Sequence, residues 1–184
     1  MGRPKNFERT TVIRQALEAF WANGYAATSL RDLTEVTGLN KKSLYNEFGS
    51  KEKLFNITLD YYNQKRGPLV SLLNRDPLGR QNIIDFFYQL VEETDKKGCL
   101  LCLSINERDL LEKKAYRGVK DDFDGLKSLF ELNLKHSGRE QKKSASSLSL
   151  LLCSQIFAIA GMGKLKIKRE DIKKSIEHLL RGSL

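Results

Sequence analysis

The chain has 184 residues, of which 40% are hydrophobic and 30% are charged. This balance is typical of globular proteins and excludes the disordered and fibrous classes. A chain of this length buries about 70% of its unfolded surface, so its core needs no disulfide or metal to stabilise it. The formal net charge of +9 suits an acidic partner such as nucleic acid or an anionic membrane.

The cysteines and the amino terminus indicate the compartment. Three cysteines are an odd number, and the first residues carry charges with no apolar stretch behind them, so no secretory signal is visible. We therefore expect a reducing, cytoplasmic setting. The longest uncharged run, residues 144–163, contains six Ser or Gln residues and two Gly. It is too polar for a membrane span, so we expect a buried helix and no membrane partner.

Two helices are predicted in the first forty residues. Apolar residues recur at helical spacing over residues 12–21, which predicts an amphipathic helix that ends at Gly24. The capping residues Thr28-Ser29 predict a second, short helix, which stops at Gly38.

Two further helices follow directly. Asn40 is a good N-cap for a third short helix, which breaks at Gly49-Ser50. The serine of that pair caps a longer fourth helix that runs toward Gly67-Pro68, where we expect the domain boundary. Alternatively, this helix continues to about Asn74 after a kink.

The remainder of the chain also has helical patterning. Beyond Pro77 apolar residues keep helical spacing and strand-like alternation is nowhere sustained, which predicts an all-α fold of about nine helices. The final helix is expected from about Arg169 to Leu180. We divide the chain into two helical domains, residues 1–66 and residues 67–184.

The second and third helices form a candidate DNA-binding motif. They are joined by the glycine-containing turn Thr37-Gly38-Leu39, the form of a helix-turn-helix whose second helix fits the DNA major groove. We call this helix, which is the third of the chain and the second of the motif, the reading helix. Its inward side carries Leu44 and Phe48, and Glu47 is its one acidic residue. Its outer side supplies charges for phosphates and hydrogen-bonding groups for base edges, namely Lys41, Lys42, Ser43, Tyr45 and Asn46.

Residues 28–33 and 37–55 resemble the amino-terminal domain of TetR/AcrR-family transcriptional regulators, and the resemblance covers roughly residues 8–62. In that family small residues, usually Ala, occupy the positions of Thr34 and Thr37. These hydroxyls need a partner if they are buried, for example the carbonyl four residues back. The most specific part of the resemblance is Leu44-Tyr45, Phe48 and Lys51-Glu52-x-Leu54.

The resemblance implies roles for individual residues. The polar residues of the reading helix are expected to meet bases or nearby phosphates, with the Tyr45 hydroxyl on a phosphate. Lys51 adds charge at the positive end of the fourth helix, and Arg31 reaches a groove edge from the second helix. The segment Gly2-Arg3-Pro4-Lys5 is similar to basic arms that enter the minor groove; the alternative is a disordered segment.

A helix-turn-helix protein that reads a palindromic operator in double-stranded DNA needs two copies at a fixed separation. The run 144–163 is apolar nearly all round, and its small residues permit close approach of a partner helix. With the final helix we expect it to form the four-helix interface of a homodimer; the alternative is burial in its own monomer. The resemblance also implies a pocket for an unknown small-molecule effector. Aromatic residues that suit either that pocket or the core are Phe86, Phe87, Tyr88, Phe123, Phe130 and Phe157.

The segment Gly98-Cys99-Leu100-Leu101-Cys102 is a second feature of interest, because its first four residues resemble a motif at the start of a ligand-domain helix in a subset of this family. A helix dipole there, with Lys96 and Lys97, would lower the pKa of Cys99. This makes redox or electrophile sensing by Cys99 and Cys102 an alternative function. The other interpretation is that both thiols are structural and buried.

The sequence gives little support for a metal site or an active site. The remaining candidate zinc ligands, His136, His178 and Cys153, lack finger-like spacing, so we expect no metal. Without a phosphate-binding glycine loop or a nucleophile motif, we expect no cofactor and no enzyme. The sequence therefore predicts a transcriptional regulator, a repressor released from its operator by an effector. A non-specific DNA-binding protein is a further alternative.

Overall fold

The computed structural model describes residues 7–94, 98–111 and 113–183. Within these residues the chain forms nine α-helices and two short 3₁₀-helices and contains no strand, so the all-α prediction is confirmed. The α-helices are α1 (Arg9–Ala27), α2 (Leu30–Thr37), α3 (Lys41–Phe48), α4 (Lys51–Ser71), α5 (Arg80–Glu93), α6 (Leu100–Asn106), α7 (Lys113–Lys135), α8 (Arg139–Lys164) and α9 (Arg169–Ser183), and the 3₁₀-helices are Leu72–Asn74 and Arg108–Leu110.

The chain folds into two compact units. The first unit comprises Met1–Lys65 together with Leu103–Arg117, which we call the return segment. The second unit comprises Arg66–Cys102 and Gly118–Leu184. This grouping differs from the contiguous domains expected from the sequence, which stay a prediction.

Local caps fix the helix ends in the first unit. The Glu8 carboxylate accepts hydrogen bonds from the first backbone N–H groups of α1. Gly24, with φ +83°, interrupts α1 where the sequence predicted its end, and a further turn extends to Ala27. Ser29 and Asp32 form a reciprocal capping box at the start of α2, which satisfies two otherwise unpaired N–H groups.

The predicted bounds of α2 and α3 are confirmed. Gly38 ends α2 in the left-handed conformation, with φ +67°, where glycine carries no Cβ penalty. The Asn40 side chain accepts from the Ser43 N–H at 2.9 Å and begins α3, which ends at Gly49.

Helix α4 follows the longer of the two predicted courses. It passes through Pro68 to Ser71 and continues as the 3₁₀-helix to Asn74, although a proline inside a helix costs about 3 kcal/mol. Leu69 and Leu73 are buried in the core of the second unit. Their burial offsets part of the cost of the proline.

The core of the second unit is built on three phenylalanines, Phe86, Phe87 and Phe130, which are fully buried. Their ring centroids lie 5.2–5.6 Å apart. Buried amides close the turn before α5, since Asn133 donates to the Leu73 carbonyl at 2.8 Å and accepts from Asn82 at 3.1 Å. Both asparagines are therefore satisfied inside the core, as buried polar groups require.

Candidate nucleic-acid interface

The reading helix α3 has one buried and one exposed face. Leu44 and Phe48 are each 4% exposed and hold the helix against the first unit. Tyr45 is 40% exposed, and Ser43 is half-buried. Lys41, Lys42 and Asn46 are exposed. The helix thus presents two cations, an amide group and a phenol to solvent, while its apolar face packs inside the first unit.

Helix α2 satisfies both of its threonine hydroxyls internally. The Thr37 hydroxyl donates to the Leu33 carbonyl at 2.5 Å, four residues back as expected. The Thr34 hydroxyl donates to the Arg31 carbonyl at 2.7 Å, which is three residues back. Neither hydroxyl therefore needs a partner outside α2.

The Arg31 side chain lies on the exposed side of α2. Its Nε donates to Glu35 at 2.9 Å, and its side chain is 85% exposed. The hydrogen bond to this carboxylate raises the pKa of Arg31. A surface pair of this kind is weak, so the guanidinium can exchange Glu35 for another anion at little cost.

Lys51 is held more closely than the sequence suggested. Its Nζ lies 3.5 Å from the Ala26 carbonyl oxygen and 4.4 Å from the centroid of the Tyr25 ring. Partial burial lowers the pKa of Lys51, while the charges of Glu107 and Asp32 act in the opposite direction. The ammonium therefore has a defined position beside the end of α1.

Glu107, in the return segment, contacts the same end of α1. Its carboxylate accepts from the Tyr25 N–H at 2.8 Å and from the Ala26 N–H at 3.1 Å. A Cβ at Gly24 would lie 2.8 Å from Glu107 Oε1, at a φ of +83°. Glycine is therefore required there twice, once for the backbone and once for the approach of the carboxylate.

The acidic residue of the reading helix is paired. Arg9 Nε donates to Glu47 Oε1 at 3.1 Å, and the guanidinium lies 5.4 Å from the centroid of the Phe48 ring. This pair joins the first residue of α1 to the last turn of α3.

Comparison with known proteins identifies the family. Residues 12–56 match the family model described as "Bacterial regulatory proteins, tetR family". This segment of the chain matches the TetR family. It is 51% identical over 61 residues to the HTH-type transcriptional repressor ComR of Escherichia coli, a match that covers 33% of this chain and 29% of ComR. It is 32% identical over 108 residues to the uncharacterized HTH-type transcriptional regulator YezE of Bacillus subtilis, covering 58% and 56% of the two chains. The matches thus span less than two thirds of either relative.

A solved TetR-family structure matches along almost the whole chain. This is a cysteine mutant of the regulator CifR in complex with 26-base-pair double-strand operator DNA. The TM-score is 0.82, the identity is 25%, and the match covers 98% of both chains. The fold of the second unit is thus also found in the TetR family.

On this TetR-family frame the sequence-predicted residues lie on three successive helices. Arg31 is on α2, Lys51 is the first residue of α4, and the others lie on α3. Lys41 Nζ lies 5.9 Å from the Tyr45 ring centroid, so these two form one patch. Their contacts with DNA stay predictions. Two residues in the same unit, Arg9 and Glu107, were missed, because each acts on a partner far away in the sequence.

Cys102 and Cys153 lie in settings that favour the protonated thiol. Cys99 is buried and Cys102 is half-buried. A hydrogen bond with Cys99, together with burial, raises the pKa of Cys102 well above its ordinary value. Burial raises the pKa of Cys153 to about 11. Because the thiolate is the reactive form, this favours the structural interpretation. Lys96 and Lys97, invoked for a lowered pKa, lie outside the described residues.

Helix α8 has an apolar face that the described part of the chain leaves uncovered. The sequence predicted a buried helix too polar for a membrane span, but α8 is apolar enough to cross a membrane by length and composition, and 39% of its most apolar window is buried. Leu150 and Leu151 are 50% and 38% exposed, whereas Leu152 and Cys153 are buried. One side of the helix thus packs into the second unit and the other side faces solvent.

Proposed function

We propose that this chain is a sequence-specific DNA-binding transcriptional regulator. The observation that carries the proposal is the two-faced reading helix, in which buried Leu44 and Phe48 fix a helix whose outer side carries Lys41 and Lys42. A helix in the major groove needs such a rigid base, since base readout depends on side-chain position within a fraction of an ångström.

The proposed contacts divide into two groups. Lys41, Lys42, Ser43 and Asn46 meet base edges or nearby phosphates, and Arg31 reaches a groove edge from α2. Tyr45 and Lys51 contact phosphates and set the register of the reading helix. The ordered position of Lys51, beside the Ala26 carbonyl, supports a fixed phosphate contact.

Repression is the proposed outcome of binding. The proposal is supported by the similarity of the chain to ComR, a transcriptional repressor, and to CifR in its complex with operator DNA. A repressor needs only to occupy its site, which asks for no enzymatic activity and no cofactor. We also infer a cytoplasmic location, where the chain has access to DNA.

The proposed regulator is a homodimer that meets a palindromic operator. The solvent-facing side of α8, with Leu150 and Leu151, supplies apolar surface for a second copy. Ala158 and Gly161 on the exposed part of the same helix allow two helices to approach closely. A two-fold symmetric dimer supplies two reading helices, as a palindromic operator requires.

Release by a small molecule completes the proposal. The effector binds the second unit more tightly in the conformation that does not bind DNA. It therefore shifts the population away from the operator-bound state. The predicted aromatic set is not free to line a pocket in full, since Phe86, Phe87 and Phe130 fill the core. An open groove of about 540 Å³ between α5 and α9 is lined by Leu72, Asp85, Tyr88, Gln89, Glu92, Lys173 and Glu177.

Selection from random duplex DNA tests the proposal. The chain should enrich a palindromic sequence, and its affinity for that sequence should fall steeply with salt. Tyr45→Ala should weaken binding to all sequences, whereas Lys42→Ala should alter the preferred bases. Lys65→Ala, at an exposed lysine of α4, is the matched control. Equal affinity for random and selected DNA would favour the non-specific alternative, and unchanged binding by Tyr45→Ala would disprove the assignment of the reading helix.

A further inference from the structure

The reading helix carries one acidic side chain on a surface that is proposed to meet a polyanion. Glu47 lies between Asn46 and Phe48, and its side chain is 12% exposed. A carboxylate in this position is poorly screened by water and salt. A like charge on a DNA-binding surface opposes association, so the protein needs a means of neutralising it.

Arg9 supplies that neutralisation through a directed contact. Its Nε donates to Glu47 Oε1 at 3.1 Å, and a charge-assisted hydrogen bond is stronger than one between neutral groups. The Arg9 side chain is 50% exposed, against 12% for Glu47. The pair therefore presents the cation to solvent and keeps the anion beneath it.

The position of Arg9 is itself fixed. It is the first residue of α1, and the preceding residue, Glu8, accepts from the Thr10 N–H at 2.9 Å and the Thr11 N–H at 2.5 Å. The guanidinium also lies 5.4 Å from the centroid of the Phe48 ring, within cation–π range. Two contacts on α3 and a capped helix start thus hold the arginine in place.

We propose that Arg9 is a positioning residue for DNA binding, which covers the negative charge of Glu47 and fastens the end of the reading helix to α1. This proposal rests on the proposed function and extends it to residues outside the helix-turn-helix. Arg9 acts through Glu47, so its contribution depends on the presence of the carboxylate.

A double-mutant cycle tests this dependence. The probe is the duplex that the unaltered chain selects from random DNA, and the variants are Arg9→Ala, Glu47→Gln and the double variant. We expect Arg9→Ala to weaken binding about tenfold, because it removes a cation that pairs with the Glu47 carboxylate. Glu47→Gln should bind at least as well as the unaltered chain. The double variant should recover most of the lost affinity.

A control variant and the salt dependence of binding separate the alternatives. Arg14→Ala removes the same charge from an exposed position of α1 without uncovering Glu47, and it should have less than a third of the effect. If Arg9 instead contacts a phosphate, the double variant will still bind DNA weakly. The slope of affinity against salt will then fall by about 1 in Arg9→Ala and in the double variant. That result overturns the proposal, as does an equal loss in Arg14→Ala.

A stability measurement distinguishes charge cover from simple anchoring. If the pair matters only for folding, urea midpoints and DNA affinity will fall together in both single variants, and this result also overturns the proposal. Failure of the unaltered chain to select any sequence would instead contradict the proposed function. Selection by the unaltered chain with no loss in Arg9→Ala contradicts only the inference about Arg9.

Discussion

Glu107→Ala offers a direct test of the link between the return segment and the rest of the first unit. The substitution removes the acceptor of two backbone N–H groups, at Tyr25 and Ala26. A hydrogen bond to a charged group contributes about 1.5–3 kcal/mol when it is shielded from water. Tyr25 is half-buried, but Ala26 is exposed, so the second bond is largely replaced by water. We therefore expect the free energy of unfolding to fall by about 2 kcal/mol in total.

Urea unfolding followed by fluorescence measures this loss in the relevant unit, because the single tryptophan, Trp21, lies in α1. A fall of about 2 kcal/mol corresponds to roughly 4–8 °C in Tm for a chain of this size. Glu107→Gln keeps one acceptor oxygen and should lose about half as much. Asn106→Ala, at the exposed neighbouring position, should change stability by less than about 0.5 kcal/mol.

Amide hydrogen exchange locates the effect. The Tyr25 amide should exchange faster in Glu107→Ala while amides in the middle of α4 stay protected. A loss no larger than that of Asn106→Ala, or unchanged exchange at Tyr25, would refute the reasoning that Glu107 holds this corner.

Four further measurements follow from the structure. Phe130→Ala should destabilise the second unit by about 3–5 kcal/mol in calorimetry, since its ring is fully buried against two others. Hydrogen bonds from Thr10 and Thr11 lower the pKa of Glu8 from 4.5 to about 2 in the folded chain. Because the folded-state pKa is the lower one, the Glu8 carboxylate stabilises the fold above pH 4.5, and this stabilisation is lost as the pH falls toward 2. The stability difference between the unaltered chain and Glu8→Gln should therefore shrink over that interval. Leu151→Glu should shift the proposed dimer toward monomer in sedimentation equilibrium, and an unshifted dimer would exclude the α8 face as its interface. Cys102 should react with iodoacetamide at pH 7.5 more slowly than free cysteine, and oxidation should leave DNA binding intact; an oxidative loss that disappears in Cys99→Ser/Cys102→Ser would restore the redox alternative.

The sequence predicted the helix-turn-helix well because its determinants are local. Ser29, Gly38 and Asn40 each act within about one helical turn, through a cap bond or a left-handed backbone. Such signals are readable from residue type and spacing alone. The two faces of α3 follow in the same way from the positions of Leu44 and Phe48.

Features that depend on distant residues were harder to predict. Pro68 looked like a helix end, but Leu69 and Leu73 are buried in the second core, and this tertiary burial carries the helix onward. Glu107 meets partners 81 and 82 residues away, and nothing around it in the sequence indicates a cap. The partial burial of Lys51 has the same origin, because it depends on how the end of α1 packs.

The assembly of the first unit from two pieces of sequence matters for protein engineering. A chimera that joins residues 1–65 of this chain to the remainder of a relative, from residue 66 onward, would omit the return segment that contains Glu107. The grafted segment would then lack the carboxylate that accepts from the Tyr25 and Ala26 N–H groups beside Gly24. Exchange of Leu103–Arg117 together with the amino-terminal segment keeps the native pairing, so a hybrid that retains this pairing requires three junctions rather than one.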